Sequence, residues 1–176
     1  MFDNQKYLKF VERESKEGII MKNHQTELTE NEELCDLYRK KAEELVSQMT
    51  IEELADQTLN SAPPIERLNI KGYDWWNEGL HGVARAGTAT VFPQAIGLAA
   101  AFDEDLMEQV ADAVSTEGRA KFNMQQKYGD VGRYKGLTFW APNINIFRDP
   151  RWGRGHETYG EDPYLTARLG IRYIKG

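Results

Sequence analysis

Two segments of the chain concentrate residue types that could perform chemistry on a ligand. The first, residues 73–82, reads YDWWNEGLHG, and the second, residues 139–163, reads FWAPNINIFRDPRWGRGHETYGEDP. All four tryptophans of the chain lie in these segments, among carboxylates, arginines and glycines. An indole offers a flat amphipathic face to the C–H face of a sugar ring, and charged side chains hydrogen-bond to its hydroxyls. Residue chemistry therefore predicts a carbohydrate site.

Several of these residues also have a purely structural explanation. Trp76 could belong to the core, and Arg148 and Arg151 could pair with Asp149 and neighbouring carboxylates to brace a loop. Glu78 lies between Trp76 and Gly79 in a predicted turn, and Arg154 lies between two glycines. The structural explanation is weakest for these last two residues, so they are the leading candidates for ligand contact.

Composition and charge exclude several classes of function. The net charge of −6 argues against a nucleic-acid or acidic-membrane partner, and the longest apolar run, residues 95–102, is too short to span a bilayer. The single cysteine, Cys35, excludes an internal disulfide and a cysteine metal cluster, and its helical pattern predicts a buried or half-buried side chain. His81 and His156 lack metal-ligand spacing, so neither a metal nor a cofactor is predicted. No secretory signal is visible, which favours a cytoplasmic location.

Capping residues predict the helices that position the two segments. Four helices are expected to begin at Thr29, Thr50, Asp103 and Asp162, the last with a proline at its first position. The third helix is predicted to extend to about Ala120. Four of its residues are expected to face the core: Leu106, Val110, Ala113 and Val114.

Between the helices, apolar stretches predict short strands. Residues 88–102, TATVFPQAIGLAAAF, read as an extended piece followed by a closely packed helix, and residues 137–147, LTFWAPNINIF, read as a buried strand. Strands that alternate with helices predict an α/β fold with a parallel sheet, although few strands are evident. Residues 1–28 are predicted to be a polar leader, and residues 29–176 a single domain.

Three long blocks carry a resemblance to a known family. WWNEGLHGVARAG, TVFPQAIGLAAAFD and APNINIFRDPRWGRGHETYGEDPYLT resemble the N-terminal part of glycoside hydrolase family 3, and the similarity extends from about Ala42 to Gly176. The resemblance implies an incomplete (β/α)8 TIM-barrel-like domain. The WWNE sequence resembles the β-xylosidase branch of the family more than the β-glucosidase branch.

The resemblance also implies roles for individual residues in a retaining, exo-acting hydrolase of β-linked sugars. Glu78 matches the acidic side chain that holds sugar hydroxyls far from the scissile bond, and Arg154 matches an arginine that grips neighbouring hydroxyls. Trp140 matches a wall position of the same subsite. Trp76 is also expected to bind substrate, through the face of its aromatic ring. Three further residues are assigned to bracing the loops: His81, Arg148 and Glu157.

The catalytic pair expected of the family is not found in this chain. Residue chemistry alone would nominate Glu78 and Glu157, but the family pattern makes both supporting residues and expects the aspartate nucleophile and the glutamate acid/base beyond Gly176. The chain alone is therefore expected to be inactive. A closed barrel leaves no sheet edge, whereas an incomplete barrel leaves an open edge with unpaired amides and carbonyls. Association with a missing C-terminal half, or self-association, is therefore also expected.

The substrate class follows from the same resemblance. A xylo- or gluco-oligosaccharide with β-linkages is the expected partner, and β-xylosidase activity is the leading prediction. The alternatives are β-glucosidase or α-arabinofuranosidase specificity, since these residues do not count the carbons of the sugar. A further alternative is a non-catalytic sugar-binding remnant.

Overall fold

The computed structural model describes residues 32–176, so the predicted leader and the capping position at Thr29 lie outside the described residues. The chain divides into two compact units, Met1–Ile51 and Glu52–Gly176. In the first unit, residues 32–46 form helix α1. Cys35 is exposed in this helix, as are its described neighbours on every side, so the prediction of a buried cysteine is wrong. Apolar residues at helical spacing favour a helix, but burial also requires a neighbouring element to pack against it.

Two long helices form the framework of the second unit. Helix α2, Ile51–Gln57, leads into it, and the short helix α3, Ala95–Ala99, precedes helix α4, Glu104–Lys127, and helix α5, Pro163–Lys175. The predicted caps at Asp103 and Asp162 are confirmed. The Asp103 carboxylate accepts a hydrogen bond from the amide of Leu106 at 2.9 Å, and the Asp162 carboxylate accepts one from the amide of Leu165 at 2.7 Å. Both satisfy amides that the first helical turn leaves without a partner.

The core lies where α3, α4 and α5 meet the loop before α5. One cluster of buried residues contains Ala95, Ala99, Met107, Tyr159 and Leu169. The prediction that Leu106 faces inward is wrong, because it is 40% exposed while Met107 is 2% exposed. The buried stripe of α4 passes through Met107, Val110 and Val114, so the helical phase places Leu106 at its edge. The helix also continues beyond Ala120 to Lys127.

Regular strands are short in the described residues. Strand β1, Ser61–Ala62, pairs antiparallel with strand β2, Tyr73–Asp74. The prediction of a buried strand over residues 137–147 is wrong, since within this segment only Phe139 forms a bridge, a parallel one to Asn77. Side chains explain the difference. The Tyr73 hydroxyl accepts hydrogen bonds from the amides of Leu137 and Thr138 at 2.7 and 3.1 Å, which a neighbouring strand would otherwise receive.

Three single-turn 3₁₀ helices lie in the connections: Glu66–Leu68, Ala84–Ala86 and Gly155–Glu157. The second follows the first chemically dense segment, and the third lies within the second segment. No helix among residues 32–176 combines the length and the apolar character needed to cross a membrane.

Candidate functional site

The two chemically dense segments come together at one cleft. The cleft has a volume of about 470 Å³ and is lined by all four residues predicted to bind substrate. These are Trp76, Glu78, Trp140 and Arg154. Glu157, which was predicted to brace a loop, lines the same cleft. The structure thus brings together residues that are up to 81 positions apart in the sequence (Trp76 to Glu157).

Asn77 joins the first segment to the second. Its side chain is 1% exposed, donates to the carbonyl of Asp74 at 2.9 Å and accepts from the amide of Gly136 at 2.8 Å. The main-chain carbonyl of Asn77 accepts a hydrogen bond from the amide of Trp140 at 2.9 Å. A Cβ on Gly136 would lie 2.6 Å from the Asn77 amide nitrogen, so only glycine fits this close approach. Asn77 therefore sets the distance between Trp140 and the neighbouring Trp76.

The two indoles form an aromatic wall. The ring centroids of Trp76 and Trp140 are 5.0 Å apart with planes at 42°. Trp76 is 41% exposed and Trp140 is 53% exposed, so the explanation of Trp76 as a core residue is wrong. The guanidinium of Arg133 lies over the Trp76 ring, 5.3 Å from its centroid. The indole faces that remain exposed are the surfaces on which a sugar ring could stack.

Glu78 is held by an arginine from the loop that follows it. Arg85 Nε donates to Glu78 Oε1 at 2.5 Å. This hydrogen bond and the charge of Glu78 raise the pKa of Arg85. In the described residues, no hydrogen bond reaches the second carboxylate oxygen, Glu78 Oε2. Glu78 thus keeps one oxygen that could accept a hydrogen bond from a ligand.

Arg154 and Glu157 form a charged pair in the cleft lining. Arg154 Nε and Nη2 donate to Glu157 at 2.9 and 2.5 Å. These hydrogen bonds lower the pKa of Glu157, against the smaller opposing effect of its burial, and they raise the pKa of Arg154. A carboxylate held ionised in this way can orient a guanidinium but is a poor proton donor.

The local backbone explains how this pair is presented. Gly155 follows Arg154, and a Cβ there would lie 2.4 Å from the ring of Phe147, so the turn can pack against that ring only with glycine. The carbonyl of Glu157 accepts a hydrogen bond from the amide of Asn143 at 3.1 Å. The Gly155–Glu157 turn is therefore tied to the segment that carries Trp140.

His81 and Arg148 lie outside the main cleft lining. His81 is half-buried beside a smaller pocket that it shares with Glu78 and Arg85, and its carbonyl accepts from the amide of Phe92 at 2.8 Å. Arg148 is exposed, and within residues 32–176 its side chain makes no hydrogen bond or ion pair. The bracing roles of these two residues stay predictions. By contrast, the alternative that Asp149 pairs with a neighbouring arginine is confirmed, since Arg151 Nη2 lies 2.6 Å from Asp149.

Sequence reasoning missed several residues that build the site. Four residues were not singled out: Asn77, Arg85, Arg133 and Tyr134. The two arginines had a weak signal, because an arginine outside a dense cluster is usually a solvated surface charge. No set of three or more His, Cys, Asp or Glu side chains in the described part of the chain is arranged to hold a metal ion.

Comparisons with known proteins point to one family of glycoside hydrolases. The family model for the glycosyl hydrolase family 3 N-terminal domain matches residues 11–176. A xylan 1,4-β-xylosidase of Xylanibacter ruminicola is 49% identical over 140 residues, which cover 78% of this chain and 16% of the relative. A probable β-D-xylosidase of Arabidopsis thaliana is 47% identical over 147 residues, which cover 78% of this chain and 18% of that protein.

A solved structure gives the same result for the fold. It is a family 3 exo-β-xylosidase in complex with a xylobiose aziridine activity-based probe, with a TM-score of 0.62 and 40% sequence identity over 74% of this chain and 17% of that chain. The predicted fold class is confirmed: the helices and few strands form part of a TIM-barrel-like domain. The chain spans less than a fifth of the length of these relatives. It belongs to glycosyl hydrolase family 3, where it matches the N-terminal domain.

Proposed function

We propose that this chain supplies the sugar-binding part of a retaining, exo-acting β-xylosidase site that takes β-linked xylo-oligosaccharides from the non-reducing end. The observation that carries the proposal is the meeting of Trp76, Glu78, Trp140 and Arg154 in one cleft. An aromatic wall beside a carboxylate and a guanidinium offers both kinds of contact that a pyranose needs. The names of the relatives support a xyloside as the substrate.

The chain acts in this proposal by binding rather than by bond cleavage. Glu78 and Glu157 are both engaged by arginines, at 2.5 Å for the closest contacts, so neither is presented as a free acid. The nucleophile and the acid/base are expected from other parts of the family's architecture. The 176-residue chain should therefore bind xylobiose without hydrolysing an aryl β-xyloside.

Tryptophan fluorescence tests the binding directly. Xylobiose titrated into the full chain should change the emission, and Trp140→Ala should weaken binding about 2- to 12-fold, as expected for an aromatic contact. Trp152→Phe is the matched control, because Trp152 packs on Phe147 with centroids 6.3 Å apart and does not line the cleft. Equal affinities for the wild type and Trp140→Ala would overturn the proposed site.

A chimera tests the link to catalysis. Residues 42–176 replace the matching segment of the Xylanibacter xylosidase, and kcat/KM is measured for an aryl β-xyloside. We expect activity to be retained, and Glu78→Gln in the chimera to lower it about 30- to 1000-fold, as for removal of one charged contact in the transition state. A folded chimera whose activity is indifferent to this substitution would contradict the assignment of Glu78.

A further inference from the structure

We infer that Arg85 is a positioning residue of this site: it fixes the Glu78 carboxylate in the cleft, and α4 fixes the loop that carries Arg85. The inference rests on the proposed sugar-binding function. Arg85 Nε engages Glu78 Oε1 at 2.5 Å and leaves the second oxygen without a partner in the described residues. The Arg85 side chain is 59% exposed and that of Glu78 is 31% exposed. An ion pair this open contributes little to folding, so its main consequence is the orientation of the carboxylate.

A tyrosine provides a second hold on Arg85. The guanidinium lies 5.2 Å from the centroid of the Tyr134 ring. The amide of Tyr134 donates to the carbonyl of Trp76 at 3.0 Å, so the ring under Arg85 is attached to the segment that carries Glu78. Tyr134 has a φ of 65°, a left-handed conformation that is uncommon for a bulky residue. Arg85 is thus held between Tyr134 and Glu78. Both contacts depend on the segment from Trp76 to Glu78, since Tyr134 is hydrogen-bonded to Trp76.

The loop that carries Arg85 is attached to α4 at both ends. Lys121 Nζ donates to the carbonyl of Val83 at 2.8 Å. Glu117 accepts from the amide and the hydroxyl of Thr90 at 2.9 and 2.6 Å, and these hydrogen bonds lower its pKa. These two residues are one helical turn apart, so a single rigid face of α4 holds both ends of the loop.

The entry to this loop also depends on its backbone. Gly82 has a φ of 117°, and a Cβ there would lie 2.1 Å from the carbonyl oxygen of Thr90. The loop therefore begins and ends in close contact, and its eight residues, 83–90, have little freedom to move Arg85 away from Glu78. Ordering of this kind spares the binding step the cost of fixing the carboxylate.

A double-mutant cycle on the full 176-residue chain tests the inference. The affinity for xylobiose is measured by tryptophan fluorescence for the wild type, Arg85→Met, Glu78→Gln and the double variant. If Arg85 acts through Glu78, Arg85→Met weakens binding about tenfold in the wild type and less than about twofold in the Glu78→Gln background. Arg85→Lys, which keeps the charge and one donor, should recover part of the loss.

The control is an ion pair of similar exposure away from the cleft. Arg168 pairs with Glu104 at 2.8 Å, with side chains 46% and 30% exposed, and Arg168→Met should leave the affinity unchanged. Equal losses from Arg85→Met in both backgrounds would overturn the inference, since a general structural effect is additive.

Crystal structures of the wild type and Arg85→Met separate this inference from the proposed function. If the wild type binds no xylobiose, the proposed function fails, and the position of Glu78 still decides the role of Arg85. A Glu78 side chain that leaves its wild-type orientation in Arg85→Met supports positioning. An unchanged Glu78 orientation refutes it.

Discussion

Replacement of Asn77 by alanine should damage both the stability of the second unit and the assembly of the cleft. The side chain of Asn77 is 1% exposed and pairs with two backbone groups, the carbonyl of Asp74 and the amide of Gly136. Alanine leaves both groups without these partners. A buried polar group that loses its partner costs about 1–3 kcal/mol.

The local burial sets where in that range each group falls. Asp74 is 7% exposed, so water does not readily replace the lost donor at its carbonyl, whereas Gly136 is half-buried and more accessible. We therefore expect Asn77→Ala to lower the free energy of unfolding by about 2–4 kcal/mol. This is a large part of the roughly 5–15 kcal/mol typical of a domain. The near-UV circular dichroism of the tryptophans should also weaken, because Trp140 is placed through the carbonyl of Asn77.

Urea denaturation followed by tryptophan fluorescence measures the effect. Asn60→Ala is the matched control, since Asn60 is exposed and its side chain makes one long hydrogen bond of 3.4 Å to Ser61. It should change stability by less than about 0.5 kcal/mol. Asn77→Asp keeps one acceptor but sets an oxygen against the Asp74 carbonyl, and it should cost at least as much as alanine. If Asn77→Ala stays within about 0.5 kcal/mol of the wild type, the assignment of Asn77 as the joint between the segments is wrong.

Three further predictions concern the Arg154–Glu157 pair, the tryptophans of the cleft and the exposed apolar surface of α5. Hydrogen bonds from Arg154 lower the pKa of Glu157, so their stabilising effect is present above the unfolded pKa of about 4.3 and is lost as the pH falls through the lower folded pKa. The difference in unfolding free energy between the wild type and Glu157→Gln should be constant near neutral pH and disappear in acid; a difference independent of pH would contradict this. The active chimera should prefer an aryl β-xyloside to a β-glucoside, because the large side chains of Trp76 and Trp140 line the cleft and a pyranose without a C6 group needs less space beside them. Equal kcat/KM values would refute the argument. Ile174 is 74% exposed on α5, so Ile174→Lys should reduce self-association of the 176-residue chain, as measured by sedimentation velocity. An unchanged distribution of sedimentation coefficients would show that this face of α5 does not mediate self-association.

Local chemistry carried much of the prediction from sequence. Asp103 and Asp162 cap their helices as expected, because a cap needs only a side-chain oxygen within the first helical turn. Glu78 and Arg154 were singled out because glycine-flanked charges in turns have few structural explanations, and both line the cleft. The family was predicted from long sequence blocks, and the match over residues 11–176 confirms it.

Tertiary structure decided the features that depend on partners distant in the chain. The segment predicted as a strand, residues 137–147, has β-forming residues, but the amides of Leu137 and Thr138 donate to the Tyr73 hydroxyl, so the ladder does not form. Contacts with α3 and α5 decide which side of α4 is buried. The apolar spacing alone did not locate that side to within one residue, since Met107 is buried and Leu106 is not. Arg85 has no distinguishing feature in the sequence. Its importance comes from the loop that returns it to Glu78, and the residues that hold this loop, Glu117 and Lys121, lie about 30 positions further along the chain on α4.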